Sequence, residues 1–274
     1  MALVMQLMPG GNLHDFIIDV KNEVGPLIKL RLNAETADGI AFIHNLNPKK
    51  HMVHGDLKPE NVLLTADLHV KISDFGSAEF RSATGTTTST SSTSRNCNPE
   101  FTLVYAAPER LANLNARPRK EHDIYSYALI MHMVLSEEEP VRYDAAAFLE
   151  AVKQGQRPDI STIDEYKAGL NSEKHVLIID RLVQVMQNCW KHLPQDRPEM
   201  LQVRDCLQNL LIEQKDTDVV GEVQTVLEDF VFFKPSPHHR FATLSTFSTK
   251  SLDFTQVVST NQGEKSTRIQ CAII

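Results

Sequence analysis

Three features that this 274-residue chain lacks limit its possible functions: it has no excess of basic residues, no long apolar run and no paired cysteines. Its formal net charge of -7 at pH 7 argues against general nucleic-acid binding, which needs a basic face, so we expect no nucleic-acid partner. No stretch is apolar for long enough to span a membrane. The four cysteines, at positions 97, 189, 206 and 271, lack disulfide or metal-ligand spacing and favour a reducing, cytoplasmic setting.

The beginning of the chain, MALVMQLMPGGN, is apolar but short, and it lacks the basic start of a signal peptide. The pattern predicts instead a buried strand over Ala2 to Leu7, followed by a turn at Pro9 to Gly11. The composition, 42% hydrophobic and 23% charged, is typical of a soluble globular protein.

The spacing of apolar residues predicts a mainly helical chain with a few short strands. Pro26 begins a long helical pattern, and Asn12 is placed to cap a shorter helix that ends near Val20. Val62–Leu64 and Val70–Ile72 are predicted strands joined by a polar turn. Further helices are predicted in DIYSYALIMHMVL, which is apolar nearly all round, and in AAAFLEAVKQG, VLIIDRLVQVMQNCW and RPEMLQVRDCLQNLLIEQ, while the pattern weakens after Asp216.

Polar residues that could take part in catalysis or bind a ligand are concentrated around the two predicted strands. Asp56, Lys58 and Asn61 lie on the loop between the long helix and the first strand, and Asp74 follows the second strand and precedes Phe75-Gly76. Further along the chain lies Ala107-Pro108-Glu109. A lone Asp or Asn in a turn is ordinarily a cap, but capping does not explain the whole ordered set.

In this order, the three blocks resemble the catalytic loop, the Asp-Phe-Gly and the Ala-Pro-Glu of the protein kinase family. Within the family the chain resembles the tyrosine-kinase-like serine/threonine group, over about residues 1 to 213. The resemblance implies an α+β fold, namely a mainly helical large lobe with short β-strands near the cleft. It also implies transfer of the γ-phosphate of ATP to a protein hydroxyl, with Mg²⁺ as the cofactor.

The resemblance assigns a role to each residue of the set. Asp56 would orient the substrate hydroxyl and accept its proton, and Lys58 would offset negative charge on the transferring phosphate. Asn61 and Asp74 would supply the oxygen ligands that Mg²⁺ prefers. Lys58, together with Thr102, favours serine/threonine over tyrosine specificity.

Adenine would bind at the hinge that follows the first strand. Gln6, Leu7 and Met8 resemble the hinge, whose backbone groups bind adenine, and Leu63 would lie beneath the adenine ring. Core packing is the alternative for these apolar residues, and for Leu63 both can hold. On this basis residues 1–11 are the last small-lobe strand and hinge, residues 12–213 the large lobe with an activation segment over 74–109, and residues 214–274 a partly flexible tail.

Other residues fall on structural positions of the family. His54 and Phe75 resemble a stacked hydrophobic spine, and Asp123 resembles the acid that anchors the catalytic-loop backbone. Glu109 and Arg197 resemble a buried ion pair that ties the activation segment to the lobe.

Gly55 departs from the family pattern, which has an arginine between the histidine and the aspartate. That arginine pairs with a phosphate on the activation loop, and glycine cannot, so we expect no activation through such a clamp. The Ser/Thr-rich stretch RSATGTTTSTSSTSRN is either phosphorylated and bound by another basic residue, such as Arg81 or Arg95, or a loop without a regulatory role.

A larger departure is that no Gly-x-Gly-x-x-Gly motif and no strand lysine precede the hinge. We therefore expect this chain to be a truncated kinase with feeble activity or none, and the alternative function is a catalytically inactive kinase-like interaction module. The sequence ends in Cys271-Ala272-Ile273-Ile274, which fits the prenylation pattern and predicts weak membrane association. The alternative is that this four-residue match arises by chance.

Overall fold

The computed structural model describes residues 5–19, 24–46, 50–82, 87–88, 103–141, 144–214 and 216–230. Predictions for residues 1–4, for most of the Ser/Thr-rich stretch, for Thr102 and for Cys271 lie outside these ranges. None of the helices in the described ranges combines the length and apolarity needed to cross a bilayer.

Helices make up most of the described chain, as the apolar spacing predicted. After a short π-helical segment, Asp15–Asp19, the long helix is α1, Pro26–His44. Asn12 caps the π-helical segment, because its Oδ1 accepts a hydrogen bond from the Asp15 amide at 2.9 Å. The remaining helices are α2 (Pro108–Ala112), α3 (Lys120–Ser136), α4 (Ala145–Lys153), α5 (Ser161–Ala168), α6 (Glu173–Cys189), α7 (Met200–Ile212) and α8 (Asp216–Phe230).

The strands are short and form two antiparallel sheets. β2 (Val62–Leu64) and β3 (Val70–Ile72) pair as predicted, with Val62 opposite Ile72. The second sheet joins β1 (Lys50–Val53), β4 (Glu79–Ser82) and β5 (Thr87–Thr88), none of which the sequence pattern predicted. Met5 to Leu7, the described part of the first predicted strand, belongs to neither sheet, and the side chains of Met5 and Leu7 are exposed.

Two buried helices form the centre of the core. α3 is the helix that was predicted to be apolar all round, and its residues from His122 to Leu135 are all buried. α1 is nearly as buried and packs on α3, α6, α7 and β3. The ammonium of Lys29 on α1 is fully buried and donates to the Val134 and Leu135 carbonyls (3.1 and 3.0 Å) and to the Glu137 carboxylate (2.7 Å). These bonds satisfy carbonyls in the last turn of α3 and hold that end of the helix against α1.

The first turn of α1 is capped by a residue 195 positions further along the chain. Helix α1 begins at Pro26 after Gly25, which offers no side chain as a cap. The carboxylate of Glu222 on α8 accepts hydrogen bonds from the Leu27 and Ile28 amides, both at 3.1 Å. The Glu222 carboxylate lies against Gly25, so that a Cβ at position 25 would clash with it. The sequence predicted no helix at α8, and here that helix completes the beginning of α1.

Replacing Glu222 with alanine removes this cap and leaves two helix amides without their acceptor. We expect the free energy of unfolding to fall by about 1–2 kcal/mol, the usual cost of a lost N-terminal cap. Urea unfolding of the full chain followed by circular dichroism measures this change. Val220→Ala, an exposed position on the same helix, is the control, and an equal loss in both variants would contradict the capping role.

Candidate active site

The loop that carries Asp56 is held by a buried carboxylate on α3. Asp123 is 1% exposed, and its two oxygens accept hydrogen bonds from the His54 amide (2.8 Å) and the Gly55 amide (2.9 Å). The ring of His44 at the end of α1 adds a third bond, from Nε2 to Asp123 Oδ2 at 2.8 Å. This arrangement agrees with the anchoring role that the family resemblance predicted for Asp123.

Asp123 is buried as an ion. Burial alone would raise its pKa, but the hydrogen bonds from His44 and from the loop backbone outweigh burial and hold the pKa below its ordinary value. A carboxylate that keeps its charge keeps two strong acceptors for backbone amides. The position of the catalytic loop therefore depends on a charge at the beginning of α3.

A second set of contacts joins this loop to the turn that carries Asp74. His54 Nε2 lies 2.9 Å from the Ser73 carbonyl, which can only accept, so Nε2 carries the proton. The other ring nitrogen, Nδ1, accepts from the Asp56 amide at 3.3 Å. The rings of His54 and Phe75 lie 5.2 Å apart between centroids, at 52°, in agreement with the predicted stacked pair.

Asn61 links the loop and the turn by backbone bonds. Its side-chain nitrogen donates to the Asp56 carbonyl at 2.8 Å, and its own carbonyl accepts from the Ser73 amide at 2.8 Å. Lys58 Nζ lies 3.4 Å from Asp56 Oδ2, and both side chains are less than one-fifth exposed. The structure thus brings Asp56, Lys58 and Asn61 together on one short loop.

The carboxyl of Asp56 is a better proton acceptor than an ordinary aspartate. Burial raises its pKa above the ordinary value, while the nearby Lys58 ammonium lowers it in part. A general base with a raised pKa draws a proton more strongly, provided that it stays ionised.

Asp74 is held in an unusual backbone conformation. Its φ and ψ are 57° and 64°, in the left-handed region, and its Oδ1 accepts from the Gly76 amide at 3.3 Å. A Cβ at Gly76 would lie 3.0 Å from that same oxygen, which is why a glycine suits this position. Such strain in a non-glycine residue is typical of functional sites.

Asn61 and Asp74 carry the kind of oxygen donor that a magnesium ion bound with a nucleotide would take. Among the described residues, no group of three or more His, Cys, Asp or Glu side chains could hold a metal by itself. Mg²⁺ is commonly held by one or two carboxylates together with substrate phosphates. Because Asn61 uses its amide nitrogen on Asp56, its amide oxygen is the atom that can serve as a ligand.

The residues that follow the predicted hinge pair with β2. Gly10 donates to the Leu64 carbonyl at 3.0 Å, and the Gly11 carbonyl accepts from the Leu64 amide at 2.9 Å. This pairing brings the segment that holds Gln6 and Met8 to the strand of Leu63. A Cβ at Gly10 would lie 2.5 Å from the Thr65 carbonyl oxygen, so this close approach requires glycine. Gln6 is exposed, Met8 is buried and Leu63 is half-buried.

The last part of the predicted activation segment is tied to the helical core by the predicted ion pair. Arg197 makes two bonds of 2.8 Å to the carboxylate of Glu109, and further bonds to the Lys191 and Glu121 carbonyls. Burial acts to raise the pKa of Glu109, but the guanidinium of Arg197 overcomes this effect and lowers the pKa below its ordinary value. The pair fixes the segment just after Ala107-Pro108.

The backbone favours glycine at position 55, where the family pattern has an arginine. Its φ is +77°, and a Cβ there would meet Pro118 Cγ and the Ser77 carbonyl oxygen, both at 3.2 Å. A side chain at this position would therefore be strained and crowded. Only Thr87 and Thr88 of the segment from Thr86 to Ser94 are described, so the absence of a phosphate clamp stays a prediction.

One cluster beside the site had no signal in the sequence. His14 lies against Glu139, and Glu139 also reaches the Tyr105 hydroxyl. His14 and Glu139 are 125 positions apart, so no local spacing joins them.

Comparison with known proteins agrees with this geometry. Residues 1–207 match the family model described as protein tyrosine and serine/threonine kinase. The chain is 31% identical to human receptor-interacting serine/threonine-protein kinase 3 over 245 residues, which are 88% of the chain and 44% of that protein. It is 32% identical to the bovine receptor-interacting serine/threonine-protein kinase 2 over 207 residues, 73% of the chain and 36% of that protein.

A third relative is human receptor-interacting serine/threonine-protein kinase 1, at 27% identity over 84% of the chain. That match covers 33% of the relative. The chain therefore spans between a third and a half of the length of these curated relatives.

Gly55→Ala is expected to lower the free energy of unfolding by about 2 kcal/mol, because a left-handed backbone and two close contacts both oppose a Cβ. Gly11→Ala is the matched control: its φ is +71°, but nothing lies within 4 Å of the added Cβ. Chemical unfolding should give a smaller loss for Gly11→Ala. Equal losses would show that the contacts with Pro118 and Ser77 do not matter.

Glu109→Gln should destabilise the chain by about 3 kcal/mol at pH 7, because the buried guanidinium of Arg197 loses its charged partner. The folded pKa of Glu109 is depressed, so its stabilisation is present above the unfolded value near 4.5 and is lost as pH falls through the folded value. Urea unfolding of both proteins at several pH values tests this. A difference that grows as the pH drops below 4.5 would contradict it.

Proposed function

Because the chain belongs to the protein tyrosine and serine/threonine kinase family, we propose that its site transfers the γ-phosphate of ATP to a serine or threonine hydroxyl of a protein. The observation that carries the proposal is that Asn61 bonds both to the Asp56 carbonyl and to Ser73, the residue that precedes Asp74. Phosphoryl transfer asks the protein mainly for positioning and charge, which these residues supply.

Asp56 is proposed to orient the substrate hydroxyl and to take its proton as the oxygen bonds to phosphorus. Its raised pKa suits a proton acceptor, and its backbone is fixed on two sides, by His54 and by Asn61. Lys58 lies 3.4 Å from that carboxylate and is proposed to balance negative charge on the phosphoryl oxygens.

Asn61 and Asp74 are proposed to hold Mg²⁺, which supplies charge neutralisation of the nucleotide phosphates when it is bound. Asp74 is poised for this by its left-handed backbone and by the Gly76 amide. The backbone of Gln6 and Met8, with Leu63 beneath, is proposed to bind the adenine ring, since Gly10 and Gly11 bring this segment to β2.

The choice of a serine or threonine substrate rests on two supports. The relatives named above are serine/threonine-protein kinases. The catalytic loop has Lys58 two positions after Asp56, the pattern that favoured serine/threonine in the sequence.

A second candidate function is an inactive interaction module. The exposed side chains of Met5 (51%) and Leu7 (70%) favour it, because apolar surface beside the cleft can bind a protein. In this alternative the acids of the site would have no catalytic use.

Asp56→Asn should lower phosphate transfer by the full chain at least about 100-fold, the smallest usual contribution of a general base. Transfer is measured with radiolabelled ATP, Mg²⁺ and a generic protein substrate. The control is Asp67→Asn, which changes an exposed aspartate in the turn between β2 and β3 and should leave transfer unchanged. The sequence predicts only feeble transfer, so the assay has to resolve a weak wild-type rate. No detectable transfer by the wild-type chain would overturn the proposal and favour the interaction module.

Asp74→Asn should weaken nucleotide binding only when Mg²⁺ is present. Thermal unfolding of the wild type should shift upward with ATP and Mg²⁺ together, because a ligand of the folded state stabilises it. The shift should shrink in Asp74→Asn and should be small for ATP with EDTA. Equal shifts with and without Mg²⁺ would contradict a metal role for Asp74.

A further inference from the structure

His14 lies between two carboxylates at the edge of the candidate active site. Its Nε2 is 2.5 Å from Glu139 Oε1, and its Nδ1 is 3.2 Å from Asp15 Oδ1. Asp15 is itself held by Asn12, whose side-chain nitrogen donates to Asp15 Oδ2 at 2.8 Å. Both ring nitrogens face acceptors, and only the doubly protonated imidazolium can donate to both.

The charge of His14 follows from these neighbours. The hydrogen bond with Glu139 is the main cause that raises the pKa of His14 to about 9, against partial burial. Asp15 on its own segment, Glu139 after α3 and Glu60 on the catalytic loop all favour the cation. His14 is therefore a cation at neutral pH, unlike an ordinary histidine.

Glu139 also contacts the predicted activation segment. Its second oxygen lies 3.4 Å from the Tyr105 hydroxyl, which also faces the Met133 sulfur at 3.8 Å. The Tyr105 carbonyl accepts from Ser126 on α3 at 2.8 Å. Tyr105 precedes Ala107-Pro108-Glu109 by two positions and is 5% exposed.

This chain of contacts joins parts of the protein that are distant in sequence. It begins in the segment after the predicted hinge, passes through the loop after α3, and ends on the part of the activation segment that leads to the Glu109–Arg197 pair. Glu60, one residue before Asn61, is near enough to act electrostatically on both His14 and Tyr105. The backbone bridge between Asn12 and Leu63 also places the His14 segment beside β2, the strand that follows the catalytic loop.

We propose that His14 is a positioning residue: its cationic bridge between Asp15 and Glu139 fixes the Tyr105 segment beside the catalytic loop, where a protein substrate must approach Asp56. The substrate part of this inference rests on the proposed function. The bridge itself does not, so the two are tested separately.

Hydrogen exchange measured by mass spectrometry on the full chain tests the bridge without reference to activity. In His14→Gln, which keeps a donor but loses the charge, amides in residues 103–109 should exchange about tenfold faster, because a charge-assisted bond no longer holds the segment closed. His14→Lys keeps a cation and should restore most of the protection. Exchange in α1 and α3 should match the wild type in both variants.

The matched control is His69→Gln, which removes another histidine–carboxylate pair, 2.7 Å from His69 Nδ1 to Glu35 Oε1, on the turn between β2 and β3. It should leave residues 103–109 unchanged. Unchanged exchange in His14→Gln, or exchange in His14→Lys as fast as in His14→Gln, would overturn the bridge.

Titration of His14 by NMR gives an independent readout. Its folded pKa is raised, so the bridge should be complete below the ordinary value of 6.5 and should be lost as pH rises through about 9. Protection of residues 103–109 should fall in the same range, after correction for intrinsic exchange. A His14 that titrates near 6.5 would also overturn the proposal.

Kinetics then test the consequence for the substrate. His14→Gln should raise the KM for a protein substrate and leave the KM for ATP unchanged. An unchanged KM for the protein substrate would overturn the positioning role. If the wild-type chain transfers no phosphate, the proposed function fails, and hydrogen exchange and NMR still decide the bridge.

Discussion

The rest of the site depends on one buried negative charge, that of Asp123. Its carboxylate accepts hydrogen bonds from the amides of His54 and Gly55 and from the ring of His44. It stays ionised because these bonds outweigh the cost of burial. A neutral or misplaced group there would free the loop that carries Asp56. Since His54 also bonds to Ser73, the same charge indirectly sets where Asp74 lies. The chemistry is thus positioned from inside the helical core.

The activation segment is fixed by a different principle, because its last residues are held by charges from separate parts of the chain. Arg197 binds Glu109 with two bonds, and Glu139 contacts both Tyr105 and His14. Such charge-assisted bonds are strong and directional, and they add to the burial of Val104, Tyr105 and Ala107 in the core. If the predicted absence of a phosphate clamp at Gly55 holds, these ion pairs carry a larger share of the positioning.

The sequence predicted those features that are local or follow a fixed order. The strands Val62–Leu64 and Val70–Ile72 and the buried helix around Tyr127 follow from periodicity, and the family follows from motif order. Helix α8 also had a local signal, since Val219, Val223 and Val226 recur at helical spacing, and our prediction missed it. The pairing of β1 with β4 and the His14–Glu139 bridge had no such signal. Each of these depends on contacts between residues far apart in the chain, and a single sequence carries no information on such contacts.

The cap that Glu222 places on α1 has a consequence for the order in which the protein is made. Helix α1 leaves the ribosome before α8 does, and the amides of Leu27 and Ile28 find their acceptor only after about 195 more residues have been added. Protein synthesis proceeds at roughly 5–20 residues per second, so the first turn of α1 waits on the order of ten seconds or more for its cap. During that time the nascent lobe must fold around a helix whose first turn has no cap. If translation stops before α8, the released chain never gains this cap.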